Sequence, residues 1–244
     1  YNTQALKGLH WMSANQNQDG SWYNLYHDEK PLELNKQTNY ASYIAVAVWH
    51  FYLLNNDINF LKSFWEPVKK GILFALSLQH SNGAITWNID EFEKIDEDYL
   101  VTGCSSIAKS IECAIAICQV LGHQNYESEW KFAHSKLITA LENPYEIFDL
   151  QKDRSRFSMD WYYPIIAGIR SKKRIASLTK KIQDSFWIEG LGIKCVLDEP
   201  WVTVAETSEC SIAYKKIGED KIASELLHNA ISIVDSRGIP YMGW

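Results

Sequence analysis

The segment KGLHWMSANQNQDGSW, residues 7–22, ends an amphipathic stretch with a glutamine, a glycine and a tryptophan at positions 16, 20 and 22. A weaker copy, KGILFALSLQHSNGAITW, covers residues 70–87, and a third echo without glutamine, HNAISIVDSRGIPYMGW, covers residues 228–244. Glycine permits a turn, the glutamine amide can bond the loop backbone or an unpaired helix carbonyl, and the indole can cover the gap to the next helix. The motif therefore predicts a structural clamp at the end of a helix.

Two kinds of predicted helix alternate along the chain. One kind is amphipathic and charged, at residues 3–15, 58–79, 124–142, 172–187 and 219–235. The other kind is almost uncharged in its first turns, at residues 38–54, 102–121, 160–170 and 203–217. A helix that is apolar on all sides is enclosed by other helices, whereas an amphipathic helix lies outside them. The pattern predicts an all-α chain in which outer and inner helices alternate.

The connections between these helices alternate too. Inner-to-outer connections are short, such as GHQN and GED, whereas outer-to-inner connections are long, at roughly 17–37, 80–101, 143–159 and 188–202. Long loops on a helical scaffold usually carry the functional groups, and these loops lead into the N-termini of the inner helices. We therefore predict an α/α-toroid, a ring of helical hairpins with a funnel at its long-loop end, as a single domain over residues 1–244. The ring is expected to be incomplete at its C-terminus, and a stacked solenoid of hairpins is the alternative.

Composition restricts the class of protein. The chain has 244 residues, of which 46% are hydrophobic and 22% charged, with a net charge of −6. These values predict a globular protein with a sizeable core and argue against a nucleic-acid partner. The uncharged run at 37–56 contains several polar residues, so we expect a buried helix there and no integral membrane span. Five cysteines without a C-x-x-C pair, and no visible signal peptide, predict reduced thiols and a cytoplasmic location.

The first clamp segment resembles the QW motif of the terpenoid cyclases, whose α/α-toroid fold is shared with protein prenyltransferase β subunits. The segments TNYASYIAVAVWHFYL, SMDWYYP and PWVTVAETSEC, at residues 38–53, 158–164 and 200–210, extend the similarity to bacterial prenyltransferase-like proteins. The resemblance implies an enzyme that binds an isoprenoid or isoprenoid-linked substrate in a central cavity, by acid-assisted chemistry. The chain has no D-x-D-D acid, no Asp-x-Cys zinc pair and no D-D-x-x-D magnesium motif. We therefore expect no zinc, no other metal and no cofactor.

The first turns of the four predicted inner helices carry the candidate site residues. Three carboxylates are predicted to be catalytic, namely Asp160, Glu206 and Glu209. Polar and aromatic side chains are predicted to bind substrate, namely Asn39, Tyr40, Ser105, Trp161, Tyr162 and Trp201. Asp160 is the sharpest candidate for a general acid, because desolvation beside aromatic rings would favour its protonated form. Glu209 follows Glu206 by one turn, so the two carboxylates are expected to interact.

Each of these residues also has a structural explanation. Asp160 could interact only with the N-terminus of its own helix. The sequence TVAE at residues 203–206 matches a capping box, in which Glu206 would bond back to the amide of Thr203. Glu206 and Glu209 could also be a solvated pair, and the aromatic side chains could belong to the core.

Three functions follow, with the first favoured by the resemblance. The first is a prenyltransferase-like or terpenoid-cyclase-like enzyme with an isoprenoid substrate. The second is a carbohydrate-active enzyme of the six-hairpin glycosidase type, with Asp160 and Glu206 as its carboxyl pair. The third is a non-catalytic toroid that binds a ligand or a partner. Both enzyme hypotheses predict a small-molecule substrate, and the sequence carries no signal for the oligomeric state.

Overall fold

The computed structural model describes residues 2–151, 153–169, 171–239 and 241–243. Within them lie ten α-helices: α1 (Asn2–Ala14), α2 (Thr38–Asn55), α3 (Ile58–Ser63), α4 (Trp65–Ser77), α5 (Val101–Leu121), α6 (Gln124–Glu142), α7 (Met159–Ile166), α8 (Lys172–Lys181), α9 (Val204–Lys216) and α10 (Asp220–Ser232). Three antiparallel two-stranded ladders join β1 (Leu25–His27) to β2 (Lys30–Glu33), β3 (Lys36–Gln37) to β4 (Asn88–Ile89) and β5 (Trp187–Ile188) to β6 (Gly192–Ile193). The all-α prediction is confirmed.

Two predicted helices differ from the observed ones. The segment predicted at 58–79 is divided at Phe64 into α3 and α4, and Pro67, which has no amide hydrogen to donate, lies in the first turn of α4. The helix predicted at 160–170 ends at Ile166, since Gly168 turns the backbone with a φ of 109°. The short ladders, which lie in long loops, were missed because strands of two to four residues have no measurable periodicity.

The described chain forms two compact units, residues up to 148 and residues from 149 onward. In the first unit the inner helices α2 and α5 pack against each other, α4 packs against both, and α6 packs against α5. In the second unit α7 packs against α8 and α9, and α9 packs against α10. That the whole chain forms a single domain stays a prediction.

Helix α5 is the most apolar element of the first unit. Among the described residues it is the one helix long and apolar enough to cross a membrane by length and composition, and 61% of that stretch is buried inside the protein. Cys104, Ile107, Ile111 and Cys118 lie in its buried face. Apolar composition on nearly all sides therefore reflects contact with α2, α4 and α6.

The first clamp joins the turn after α1 to helix α4. The Nε2 amide of Gln16 donates to the carbonyl of Gly20 at 2.9 Å and to the carbonyl of Pro67 at 3.0 Å. Gly20 has a φ of 95°, and a Cβ at this position would collide with the backbone carbonyl of Lys70. The indole of Trp22 is buried and donates to the carbonyl of Met12 at 2.8 Å. The predicted structural clamp is confirmed in this copy.

The second clamp repeats this geometry between the turn after α4 and helix α6. The Nε2 amide of Gln79 donates to the carbonyls of Gly83 at 3.0 Å and Ala133 at 2.9 Å. Gly83 has a φ of 92°, and a Cβ there would collide with the carbonyl of Lys136. In both copies, the helix carbonyl that accepts from the glutamine and the helix carbonyl next to the glycine belong to residues three positions apart. They are Pro67 and Lys70 on α4, and Ala133 and Lys136 on α6. Each clamp therefore fixes an outer helix against the end of the preceding outer helix.

The third copy keeps the turn and lacks the clamp. The amide of Asp235 donates to the carbonyl of Ile239, and the amide of Gly238 donates to the carbonyl of Asp235, both at 2.9 Å. The other two turns have the same pair of backbone hydrogen bonds at the matching positions. Val234 occupies the position of the glutamine, and its side chain has no hydrogen-bond donor. The turn is thus set by the local sequence alone.

The second unit has its own apolar core. Tyr162 of α7, Phe186, Ile193 and Tyr214 of α9 are fully buried within it. Helix α8 continues at residues 182–186 as a single π-helical turn before β5. The core therefore brings the first turns of α7 and α9 into one compact unit, where the three predicted catalytic carboxylates lie.

We expect Gly83→Ala to lower the free energy of unfolding by about 3 kcal/mol. A side chain at left-handed φ costs about 1 kcal/mol, and overpacking against the Lys136 carbonyl adds roughly 2 kcal/mol. The matched control is Gly122→Ala, because Gly122 also has a positive φ of 79° but its Cβ would meet no atom within 4 Å. Denaturant titration of both variants checks this. Equal losses in the two variants would show that the contact with α6 contributes nothing.

Candidate active site

Two of the predicted catalytic carboxylates are buried at the starts of neighbouring helices. Asp160 lies in the first turn of α7 with 7% of its surface exposed, and Glu206 lies in the first turn of α9 with 9% exposed. Helices α7 and α9 pack against each other. Carboxylates are rarely buried unless hydrogen bonds or charges compensate them, so their burial here has a structural or functional reason. Free amide groups in the first turn of a helix favour negative charge there.

Glu209 is held by two tyrosines of α7. The hydroxyl of Tyr162 donates to Oε2 of Glu209 at 3.0 Å, and the hydroxyl of Tyr163 donates to Oε1 at 2.8 Å. Burial raises the pKa of Glu209 and the charge of Glu206 raises it too, while the two tyrosine hydrogen bonds lower it; the pKa remains above its ordinary value. Burial and the charge of Glu209 also hold the pKa of Tyr162 well above 10. Tyr162 therefore stays protonated, and the two tyrosine hydroxyls fix the position of Glu209.

The backbone around Glu206 does not form the complete capping box. The hydroxyl of Thr203 accepts a hydrogen bond from the amide of Glu206 at 3.1 Å, which is half of the motif. The amide of Thr203, however, donates to the carbonyl of Ile193 at 3.3 Å. The capping-box interpretation of the Glu206 side chain is thus not supported. In a capping box this side chain would accept from the amide of Thr203, but that amide donates to Ile193 of β6 instead.

The thiol of Cys195 hydrogen-bonds the Glu206 side chain. Burial, followed by this hydrogen bond and the charge of Glu206, raises the pKa of Cys195 to about 12, so that the thiol is neutral and acts as the donor. Cys195 was not among the predicted site residues, because all five cysteines were interpreted as buried thiols. Its only sequence signal is its position in the long loop before α9.

Hydrogen bonds between the loops hold Cys195 beside α7 and α9. The amide and the hydroxyl of Ser158 both donate to the carbonyl of Cys195, each at 3.1 Å. The amide of Cys195 donates to the carbonyl of Trp201, also at 3.1 Å. A salt bridge of 2.8 Å between Arg156 and Asp198 ties the same two loops together. The long loops of this unit are therefore ordered by their own contacts.

The aromatic candidates occupy different environments. Tyr162 is fully buried in the core of the second unit, while Trp201 is 47% exposed at the end of the loop leading into α9. Trp161 is half-buried, and the ammonium of Lys181 lies 5.7 Å from the centre of its ring. Among these residues, only Trp201 presents a large exposed surface.

The candidates of the first unit lie at the starts of α2 and α5. Asn39 is half-buried, and its Oδ1 atom is buried without a hydrogen-bond donor among the described residues. Tyr40 is 46% exposed. Ser105 is fully buried, and its hydroxyl donates to the carbonyl of Val101 in the same helix at 2.7 Å. A substrate-binding role for these residues stays a prediction.

The fold is that of the α/α-toroid class. An uncharacterized conserved protein from Thermus thermophilus superposes with a TM-score of 0.75 at 10% identity, over 99% of this chain and 85% of that one. A GH63 mannosylglycerate hydrolase from the same organism, in complex with glucose, gives a TM-score of 0.70 at 11% identity, over 96% and 83% of the two chains. A rhamnosidase from Klebsiella oxytoca with rhamnose bound gives 0.67 at 10% identity, over 92% and 44%.

In sequence, the chain is similar to the MMP endo-(1,4)-3-O-methyl-alpha-D-mannosidase of Mycolicibacterium hassiacum. The two are 37% identical over 216 residues, which is 88% of this chain and 58% of the relative, so the chain spans little more than half of that protein. No protein-family model matches the chain. The comparisons support the α/α-toroid fold, but they do not support the predicted resemblance to prenyltransferases in particular.

We expect the stability effect of Glu209→Gln to depend on pH. The folded-state pKa of Glu209 is raised, so the wild-type protein loses stability as the pH rises from 4.5, the ordinary value, through the folded-state pKa. Glutamine does not ionise. The free energy of unfolding of the variant relative to wild type should therefore increase over this interval and be constant below it.

Urea denaturation at a series of pH values measures this difference. Glu225→Gln is the control, since Glu225 is exposed on α10. A flat profile for Glu209→Gln would contradict the raised pKa.

Proposed function

We propose that this chain forms the helical body of a glycoside hydrolase. The observation that carries the proposal is the pair of buried carboxylates, Asp160 and Glu206, in the first turns of two adjacent helices. Glycoside hydrolysis requires two carboxyl groups on either side of the bond that breaks. The similarity to an endo-mannosidase over 216 residues supports this proposal over the isoprenoid one.

Asp160 is assigned as the general acid, which donates a proton to the glycosidic oxygen as the bond to C1 breaks. Asp160 is buried at the start of α7, next to the helix that carries Glu206. Glu206 is assigned as the second carboxyl group, acting on water or on C1 of the sugar. Glu209 is assigned to the same site as the charged neighbour of Glu206, held in place by Tyr162 and Tyr163.

The proposed substrate is an oligosaccharide with α-(1,4)-linked 3-O-methyl-D-mannose units, on the basis of the relative's name. The exposed indole of Trp201 offers an apolar face against which a pyranose ring can pack. A carbohydrate in the site therefore needs hydrogen-bonding side chains and aromatic surface, both of which the loops before α7 and α9 provide.

The isoprenoid hypothesis depends on the clamp motif. In both clamps the glutamine donates to backbone carbonyls of its own turn and of the neighbouring helix, and the glycine lies closest to a backbone carbonyl of that helix. The clamp is thus a packing device, and it does not indicate what the site binds.

The proposed location is a reducing compartment such as the cytoplasm. All five cysteines are free thiols, and four of them are buried. Reduced, buried thiols are typical of intracellular proteins.

We expect Asp160→Asn and Glu206→Gln each to lower kcat by about 10²–10⁴-fold, the usual contribution of a general acid or base. The measurement is reducing-end release from an α-(1,4)-linked 3-O-methyl-D-mannose oligosaccharide. Thermal unfolding of each variant should remain close to wild type, since both replacements conserve shape.

Two controls separate catalysis from helix capping. Asp57→Asn replaces an aspartate whose side chain accepts hydrogen bonds only from the first amides of α3, and Glu219→Gln replaces an exposed glutamate. Both should keep full turnover. Full activity of Asp160→Asn, or equal losses in Asp57→Asn, would contradict the assignment of Asp160 as the acid.

A further inference from the structure

A polar cavity lies between α7 and the end of α8 in the second unit. Its volume is about 350 Å³, which lies within the range of small-molecule sites. One aromatic ring and five polar or charged side chains line it, namely Trp161, Ser177, Lys180, Lys181, Asp184 and Ser185.

This cavity is separate from the carboxylate site. Successive side chains of an α-helix point about 100° apart, so Asp160 and Trp161 leave α7 in different directions. Asp160 is 7% exposed, whereas Trp161 lines the cavity on the side of α8. Tyr162, the next residue, reaches Glu209 on α9. Trp161 therefore belongs to a different surface from the residues assigned to catalysis.

Helix α8 and its π-helical turn bring the polar side chains together. Ser177, Lys181 and Ser185 follow one another at intervals of four residues, so they share a face of the helix. Leu178 and Ile182 are fully buried in the core beside them. A face of an outer helix next to an inner helix is normally apolar, and π-helical turns are frequent at functional sites. The polar lining is thus a local exception to the packing pattern.

The lining is rich in positive charge and in hydrogen-bond donors. Two lysines face one aspartate, and neither Lys180 nor Lys181 forms an ion pair with the residues that the structure describes. The ammonium of Lys181 lies 5.7 Å from the centre of the Trp161 ring, within the range of a cation–π contact. Asp153 lies outside the lining. Its pKa is lowered by hydrogen bonds from Ser155 and, to a smaller extent, by the charge of Lys181. An acceptor-rich, negatively charged ligand would be favoured here.

We propose that this cavity binds a small anionic saccharide, a sugar acid or a sugar phosphate. Lys180 and Lys181 would hold the carboxylate or phosphate group. The apolar face of a pyranose ring would pack against Trp161, and Ser177 and Asp184 would hydrogen-bond its hydroxyl groups. The site requires no hydrolysis, so it goes beyond the proposed glycosidase activity, and either proposal can fail without the other.

Isothermal titration calorimetry on the full chain tests the ligand class. The probes are glucuronate, glucose 6-phosphate, glucose and inorganic phosphate. Glucuronate, glucose 6-phosphate or both should bind at least tenfold more tightly than glucose and than inorganic phosphate, and the stronger of the two identifies the anionic group. Glucose or phosphate alone binding as tightly as the anionic sugars would overturn the proposal, as would no binding by either anionic sugar up to about 10 mM.

Variants locate the site. Lys180→Met and Lys181→Met should each raise the Kd of the anionic sugar at least tenfold, whereas Lys221→Met, at an exposed lysine of α10, should leave it unchanged. Asp160→Asn should also leave it unchanged, because Asp160 belongs to the other site. An unchanged Kd in both cavity variants would overturn the proposal.

A measurement on the wild-type protein covers the case in which a variant fails to fold. The indole N–H resonance of Trp161, assigned by its loss in Trp161→Phe, should shift during titration with the anionic sugar. Shifts confined to other tryptophan resonances would place the ligand elsewhere and overturn the assignment of this cavity.

Discussion

The packing of the first unit depends on one interaction, in which a glutamine amide bonds its own turn and a neighbouring helix at the same time. Gln16 and Gln79 each join a turn carbonyl to a helix carbonyl. A glycine in each turn lets the helix backbone approach, because a Cβ there would collide with a carbonyl of that helix. Replacing the glutamine removes the hydrogen-bond donor, and replacing the glycine removes the space for the helix backbone. Both residues are therefore needed for the clamp. Helices α4 and α6 are thereby each hydrogen-bonded to the turn after the preceding outer helix.

The second unit is organised by polar contacts between its inner helices and loops. Glu209 joins α9 to α7 through two tyrosine hydroxyls, and Cys195 joins the long loop to Glu206. Buried carboxylates are costly in free energy unless such partners compensate them. Two of them, Asp160 and Glu206, lie in the first turns of adjacent helices, and the half-buried Glu209 follows one turn later. This arrangement is consistent with a functional site, and the glycosidase proposal gives these groups a chemical role.

The clamp motif explains why the fold was predicted correctly while the favoured chemistry was not supported. The glutamine–glycine pair contacts backbone carbonyls, which every helix offers, so it can serve any toroid whatever its cavity binds. This sequence lacks the metal-binding and acid motifs of the cyclases and prenyltransferases. Their absence, rather than the clamp, was the relevant signal for function. The carboxylates at the helix starts pointed towards the carbohydrate alternative, which the comparisons favour.

The sequence by itself determined the helices, their alternation and the clamps, because these follow from local periodicity and from residues only a few positions apart. It also placed Asp160, Glu206 and Glu209 at the starts of inner helices. Only the tertiary structure decided what these side chains meet. The amide of Thr203 is taken by Ile193, Glu209 is held by tyrosines of another helix, and Trp161 faces α8. Such contacts join residues distant in sequence, and no local pattern specifies them.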